Sequence, residues 1–144
     1  MNWAQSLCYL GLASTLYMTG IVWFAQVVHY PLIGHKSDES FCDFAREYQR
    51  RTLWVVTPGL AAEIASASLL VLLFPQPPSW IGLLLLIAIW MMTLCFQIPQ
   101  HLALKRGYCA QTHQRLIKGN LIRSLLWTVR SGVMIWTTVQ LTAG

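Results

Sequence analysis

The chain has 144 residues, of which 56% are hydrophobic and 10% are charged, and its formal net charge is +5. A chain this short and this apolar has no room for a soluble domain beside its hydrophobic segments. Its basic residues flank apolar segments, where anionic lipid headgroups account for them, so we predict a lipid bilayer partner and no nucleic acid. The four cysteines form no CxxC pair, which argues against a disulfide framework.

Four long apolar segments follow one another, at residues 6–29, 52–74, 80–104 and 120–141. Each supplies the roughly 20 residues that a helix needs to cross a bilayer. A proline-rich stretch separates the second from the third, because consecutive prolines cannot continue a helix. No basic region precedes the first segment, so we expect a span there and not a cleaved signal peptide. The sequence predicts one all-α integral membrane domain over residues 1–144, a four-transmembrane-helix bundle.

Nine of the ten Lys and Arg residues follow the first or the third apolar segment: Lys36, Arg46, Arg50, Arg51, Lys105, Arg106, Arg115, Lys118 and Arg123. The connections on the other side of the predicted bundle carry no charged side chain. Because cytoplasmic loops are enriched in Lys and Arg, we predict both basic loops in the cytoplasm and both termini outside, in a bacterial inner membrane.

Residues 37–51, in the first basic loop, have a helical pattern of their own. Phe41, Phe44 and Tyr48 share one face at positions i, i+3 and i+7. The stretch predicts a short amphipathic helix that lies on the membrane surface and runs into the second span.

The two halves of the chain share the pattern Phe-x4-His, a loop, then Arg-x3-Trp-x4-Gly, at an offset of 72 or 73 residues. The matching residues are Phe24, His29, Arg50, Trp54 and Gly59 in the first half and Phe96, His101, Arg123, Trp127 and Gly132 in the second. The pattern favours a duplicated helical hairpin whose copies are related by an axis along the membrane normal.

His29 ends the predicted first span and His101 the third, so both are expected near the cytoplasmic rim. Imidazoles placed between helices bind a metal ion or ligate haem iron, which makes both candidate catalytic, cofactor-binding and metal-ligating residues. The alternative is that each imidazole caps the last carbonyl groups of its helix. Gln97, one turn before His101, is expected either to orient that imidazole or to join two helices.

Glu63 and Arg130 lie deep inside predicted spans. A charge that faces lipid is costly, so both are expected to face the bundle interior. The repeat places Arg130 level with Thr57 and leaves Glu63 almost two turns deeper. Either the arginine reaches far, or water or a ligand bridges the two. Both are candidate catalytic residues in a substrate or proton site, with a purely structural ion pair as the alternative.

Asn120, Arg123, Trp127 and Arg130 follow the spacing i, i+3, i+7 and i+10. This spacing keeps them within about 80° of one helix face. The stripe is a candidate cofactor-binding surface, because guanidinium groups bind carboxylates or propionates and an indole stacks on a flat ring. In the alternative, Arg123 snorkels to the membrane rim and Trp127 belongs to an interfacial aromatic belt.

Short strings of the sequence carry a family resemblance: Trp23-Phe24-Ala25, His29-Tyr30-Pro31, Asn120-Leu121-Ile122-Arg123 and Trp127-Thr128-Val129-Arg130. The chain resembles small four-span membrane proteins grouped with anthrone oxygenases. That resemblance implies oxidation of a polycyclic or quinone-like molecule by the intramembrane histidine and the Asn/Arg/Trp/Arg stripe. A fainter likeness is to HemJ-type protoporphyrinogen oxidases, whose histidine lies earlier in the first span, where residues 7–21 here contain none.

Three functional hypotheses remain open. The first is a membrane-embedded oxidoreductase or cofactor-binding protein that acts on a quinone-like, polycyclic or tetrapyrrole molecule, with haem, a metal ion or a quinone as its cofactor. The second is a structural or accessory subunit of a larger membrane complex, or a homo-oligomer. The third is a transporter of a small ion or acid whose path is lined by Glu63 and Arg130.

Overall fold

The computed structural model describes residues 3–34 and 40–142. These residues form four helices and no strand: α1 (Trp3–Ile33), α2 (Phe41–Leu73), α3 (Pro77–Leu104) and α4 (Ala110–Thr142). The prediction of an all-helical fold is confirmed for the described residues. The predicted start of the surface helix, at residue 37, lies outside them. From Phe41 onward that helix is continuous with the second predicted span, as α2.

Three of the helices, α1, α2 and α3, are long and apolar enough to cross a membrane. α4 is equally long but contains more polar residues, and most of those from Asn120 onward are at least partly buried. Its buried side chains include Asn120, Ser124, Arg130, Ser131 and Thr137, whereas its exposed ones include Leu121, Ile122, Leu125, Val129 and Ile135. The polarity of α4 is thus the reverse of that of a helix on the surface of a water-soluble protein.

The bundle is arranged so that α1 packs against α2 and α4, and α3 packs mainly against α4 and less closely against α2. The buried apolar residues form three clusters along the bundle axis: Cys8, Leu70 and Met134; then Met18, Val22, Ile89 and Trp127; then Tyr30, Ile33, Phe41, Ala45, Leu104 and Leu116. The last cluster lies at the end that carries the basic loops. All four helices contribute to the central and loop-end clusters or to the side chains packed on them.

Both α1 and α3 contain one widened, π-helical turn, at Ala25–His29 and Thr93–Gln97. Each turn ends two residues before a proline, Pro31 or Pro99. A proline has no N–H group, and its ring crowds the carbonyl group four residues earlier. A turn in which the N–H donor reaches the carbonyl five residues back relieves that crowding. The sequence pattern contained the two prolines but gave no sign of the wider turns.

The backbone repeats at a different offset from the residue pattern. The π-helical turns and their prolines recur after 68 residues. α2 and α4 each have 33 residues, and their first residues are 69 apart. With the turns superimposed along the chain, His29 corresponds to Gln97 and not to His101. The two histidines therefore match as residue types in the sequence pattern, but they do not occupy equivalent positions in the backbone.

α1 and α2 approach each other closely at Gly59, which is buried. A Cβ atom at this position would lie 2.8 Å from the Tyr17 ring and 2.9 Å from the Met18 sulfur. The Tyr17 hydroxyl donates a hydrogen bond of 2.9 Å to the Val55 carbonyl, one turn away from the contact. Glycine is therefore required here by the neighbouring helix.

We expect Gly59→Ala to destabilise the protein by about 1–3 kcal/mol, because the added methyl group overpacks the contact between α1 and α2. Gly132→Ala is the matched control, since a Cβ atom there meets nothing within 4 Å. That control should be neutral or gain up to about 1 kcal/mol from its higher helix propensity. Thermal unfolding in one detergent compares the two, and equal midpoints would contradict the close contact.

Candidate functional site

A cavity of about 1040 Å³ lies in the half of the bundle nearest the basic loops and is lined by all four helices. Most of its wall is apolar. Its polar wall includes Tyr30, Gln97, His101, Asn120, Arg123 and Trp127. Four of these six side chains belong to the predicted site, and they come from α3 and α4. The cavity thus brings His101 together with the first three members of the α4 stripe.

Three predicted site residues, His29, Glu63 and Arg130, do not line this cavity. The His29 ring stacks on the Tyr48 ring, with 3.5 Å between centroids and 12° between planes. Its Nε2 atom is buried and has no hydrogen-bond partner. Because His29 packs behind Tyr48, it does not share the cavity wall with His101. The described residues contain no group of three or more His, Cys, Asp or Glu side chains that could hold a metal ion.

Glu63 and Arg130 form a direct ion pair in the bundle interior, with both side chains fully buried. The Arg130 Nε atom lies 3.2 Å from the Glu63 Oε1 atom. Its Nη1 atom donates to the carbonyl of Gly82, and Trp127 donates its indole N–H to the carboxylate at 3.2 Å. The pair needs no bridging water or ligand. The first residues of α2 and α4 are 69 apart in the sequence. This offset places Arg130 level with Ala61, within two residues of Glu63, so the two side chains meet directly.

Arg123 lies on the cavity wall with only neutral partners. Its Nη1 atom donates to the Asn120 side-chain oxygen at 3.3 Å, and its guanidinium carbon lies 5.5 Å from the centroid of the Trp127 ring. Asn120 is itself held by α1, because its amide N–H group donates to the Val22 carbonyl at 3.1 Å and to Gln26 at 3.0 Å. Two contacts with α4 side chains thus orient the guanidinium group beside the cavity.

Tyr30 and His101 both line the cavity and form a hydrogen-bonded pair. The Tyr30 hydroxyl lies 3.2 Å from the His101 Nε2 atom. Tyr30 is only 4% exposed, and Gln49 donates to the backbone carbonyl of His101 at 3.1 Å. Tyr30 was not among the predicted site residues and appeared only within the string His29-Tyr30-Pro31. Its place beside His29 and Pro31, at the end of a predicted span, was the available signal.

Gln97 joins two helices and does not orient His101. Its Nε2 atom donates to the Leu116 carbonyl of α4 at 3.2 Å. Of the two expectations for Gln97, helix joining is therefore the one that the geometry supports.

No family model matches the chain, and no curated protein or solved structure is significantly similar to it.

We expect Glu63→Gln to destabilise the protein by about 3–5 kcal/mol, because it leaves the Arg130 charge buried without a counter-charge. Arg130→Met should cost a similar amount for the opposite reason. The double variant Glu63→Gln/Arg130→Met should recover most of the loss, since no buried charge remains. Unfolding midpoints of the four proteins complete the cycle.

Glu47→Gln is the control for that cycle, because Glu47 pairs with Arg50 and Arg51 on the protein surface. Surface ion pairs contribute little to stability, so this variant should unfold close to the wild type. Additive effects of Glu63→Gln and Arg130→Met in the double variant would contradict a direct pair.

Proposed function

We propose that all four helices cross the membrane, with the basic loops in the cytoplasm of a bacterial cell and both termini outside. The support for a fourth span is the polarity of α4 from Asn120 onward, where buried polar side chains such as Arg130 and Ser131 alternate with exposed apolar ones such as Leu125 and Val129. A bilayer stabilises that arrangement and water does not. The asymmetric placement of Lys and Arg supports the orientation.

We propose further that the cavity binds a flat hydrophobic molecule of the quinone-like, polycyclic or tetrapyrrole class. The observation that supports this proposal is a cavity of about 1040 Å³ whose wall is mostly apolar and contains a smaller number of polar groups. Small-molecule sites have this character and enclose about 300–1,000 Å³. The Phe24 ring lines the cavity, is largely exposed and offers a surface on which a flat ring stacks.

The reaction we propose on such a ligand is an oxidation, as the resemblance to the anthrone oxygenase group also implies. A hydroquinone that loses two electrons and two protons becomes a quinone, and dioxygen that accepts them becomes hydrogen peroxide. The hydrogen-bonded Tyr30 and His101 side chains supply a path for the protons, because imidazole accepts a proton and a phenol passes one on. His101 and Tyr30 are thus the proposed catalytic residues.

Glu63, Arg130 and His29 have supporting roles in this proposal. The Glu63–Arg130 pair holds the indole N–H of Trp127, and His29 packs against Tyr48 on the cavity wall. A transport path through Glu63 and Arg130 has little support, because neither residue reaches the cavity. The hypothesis of an accessory subunit stays a prediction.

We expect the purified protein in lipid nanodiscs to accelerate oxidation of a naphthohydroquinone by dioxygen. Tyr30→Phe and His101→Gln should lower kcat by about 10²–10⁴-fold, the usual contribution of a proton-transfer group. Tyr17→Phe is the matched control, since Tyr17 also lines the cavity but bonds a backbone carbonyl. Quinone absorbance and oxygen consumption measure the rate above the protein-free background. Absence of turnover, or an equal loss of kcat in Tyr17→Phe, would contradict the proposed reaction.

The topology is tested with Cys109, which lies in the second basic loop. A backbone hydrogen bond from Thr112, with further hydrogen bonds from the Thr112 side chain and Gln111, lowers the pKa of the Cys109 thiol. The thiolate therefore persists to a lower pH than in an ordinary cysteine and should react quickly at neutral pH. With the other three cysteines replaced by alanine, an impermeant maleimide should label it in inside-out vesicles only.

The control for that labelling is a cysteine-free chain carrying Gln76→Cys in the outer connection. It should be labelled only in right-side-out vesicles. Labelling of both positions from the same side would contradict the proposed spans, and labelling from the reversed sides would contradict the orientation.

A further inference from the structure

Three polar atoms of residues that line the cavity are buried and lack a hydrogen-bond partner: Nε of Arg123, Nε1 of Trp90 and Oε1 of Gln97. The first two are donors. The third is an acceptor, because the other end of the Gln97 amide donates to the Leu116 carbonyl. All three atoms are covered by protein groups in the structure, so a ligand reaches them only where a side chain rotates.

The charge of the cavity wall is one-sided. Arg51, Lys105 and Arg123 line it, and no Asp or Glu does. Arg51 is paired with Glu47 at 2.7 Å, outside the cavity. Neither Lys105 nor Arg123 forms an ion pair with a described residue. Because burial of an uncompensated guanidinium group is costly, the cavity favours a ligand that brings a negative charge to Arg123.

The guanidinium group is held in place before any ligand binds. Asn120 accepts a hydrogen bond from its Nη1 atom, and the Trp127 ring packs against it. Trp127 is in turn fixed through its N–H group by the Glu63 carboxylate. A preorganised guanidinium group loses little conformational freedom on binding and presents its remaining N–H groups to a carboxylate.

We infer that the ligand of this cavity is an amphipathic acid: a flat apolar body with one anionic group bound by Arg123. This inference rests on the proposed function, since it names the chemical class of the molecule in the same cavity. It requires an acid, whereas the proposed flat-molecule site by itself admits a neutral compound.

The test compares two probes that differ only in the anionic group, pyrenebutanoate and pyrenebutanol. The wild-type protein is placed in phosphatidylcholine nanodiscs, and binding is followed by energy transfer from tryptophan to pyrene. One charge-assisted hydrogen bond corresponds to a preference of about tenfold or more. We expect the acid to bind more tightly than the alcohol by at least that factor.

Arg123→Gln should abolish the preference for the acid over the alcohol. Arg123→Lys, which keeps the charge but not Nε, should retain part of it and serves where Arg123→Gln does not fold. Arg115→Gln is the matched control, because Arg115 lies on the same helix, is exposed and does not line the cavity. It should retain the full preference of the wild type.

Equal affinities of the wild type for both probes, or a preference that survives in Arg123→Gln, would overturn the inference. Neither outcome would contradict the proposal that the cavity binds a flat hydrophobic molecule. Failure of both probes to bind would overturn the inference and the proposed function together. If phosphatidylglycerol in the discs abolishes the preference, a lipid phosphate occupies the anion site and the inference of a ring-bearing acid is wrong.

Discussion

The buried ion pair between Glu63 and Arg130 is the interaction on which the rest of this bundle depends. Both side chains are fully excluded from the surface, so neither charge tolerates a rotation of its helix away from the partner. The pair connects α2 with α4. It therefore fixes which face of α4 points inward, and the helical spacing then brings Asn120, Arg123 and Trp127 to the same side. One electrostatic constraint in this way orients a whole polar stripe.

Trp127 connects this constraint to the cavity. It is 1% exposed, its N–H group is engaged by Glu63, and its ring both lines the cavity and lies beside the guanidinium group of Arg123. The ion pair thus acts as a support for the cavity and not as a part of its wall. The two arginines of the α4 stripe therefore differ in their partners. Arg130 is bound by protein groups at its Nε and Nη1 atoms, whereas Arg123 has no ionic partner among the described residues.

The sequence predicted the helices well and the site only in part. Hydrophobic length and the proline-rich stretch were sufficient for the elements, and helical spacing was sufficient to turn Arg123 and Arg130 inward together. Register was the weak point, because identical residue types recur after 72 or 73 residues, whereas the π-helical turns and the starts of α2 and α4 recur after 68 or 69. That difference paired His29 with His101, although the π-helical turns pair it with Gln97, and it made the ion pair look too distant. Which side chains share a cavity depends on rotations of a few tens of degrees that no spacing rule records.

The widened turns also explain why the cavity lies where it does. Ala25, Thr93 and Gln97 belong to these turns and line the cavity, so both irregular segments border it. Irregular backbone in a membrane is tolerated where neighbouring polar side chains satisfy its carbonyl groups. Asn120 supplies that support to the carbonyl of Val22, three residues before the first turn begins, while its oxygen atom accepts a hydrogen bond from Arg123. The same amide side chain therefore stabilises the distorted helix and positions the cation, which couples the shape of the cavity to its charge.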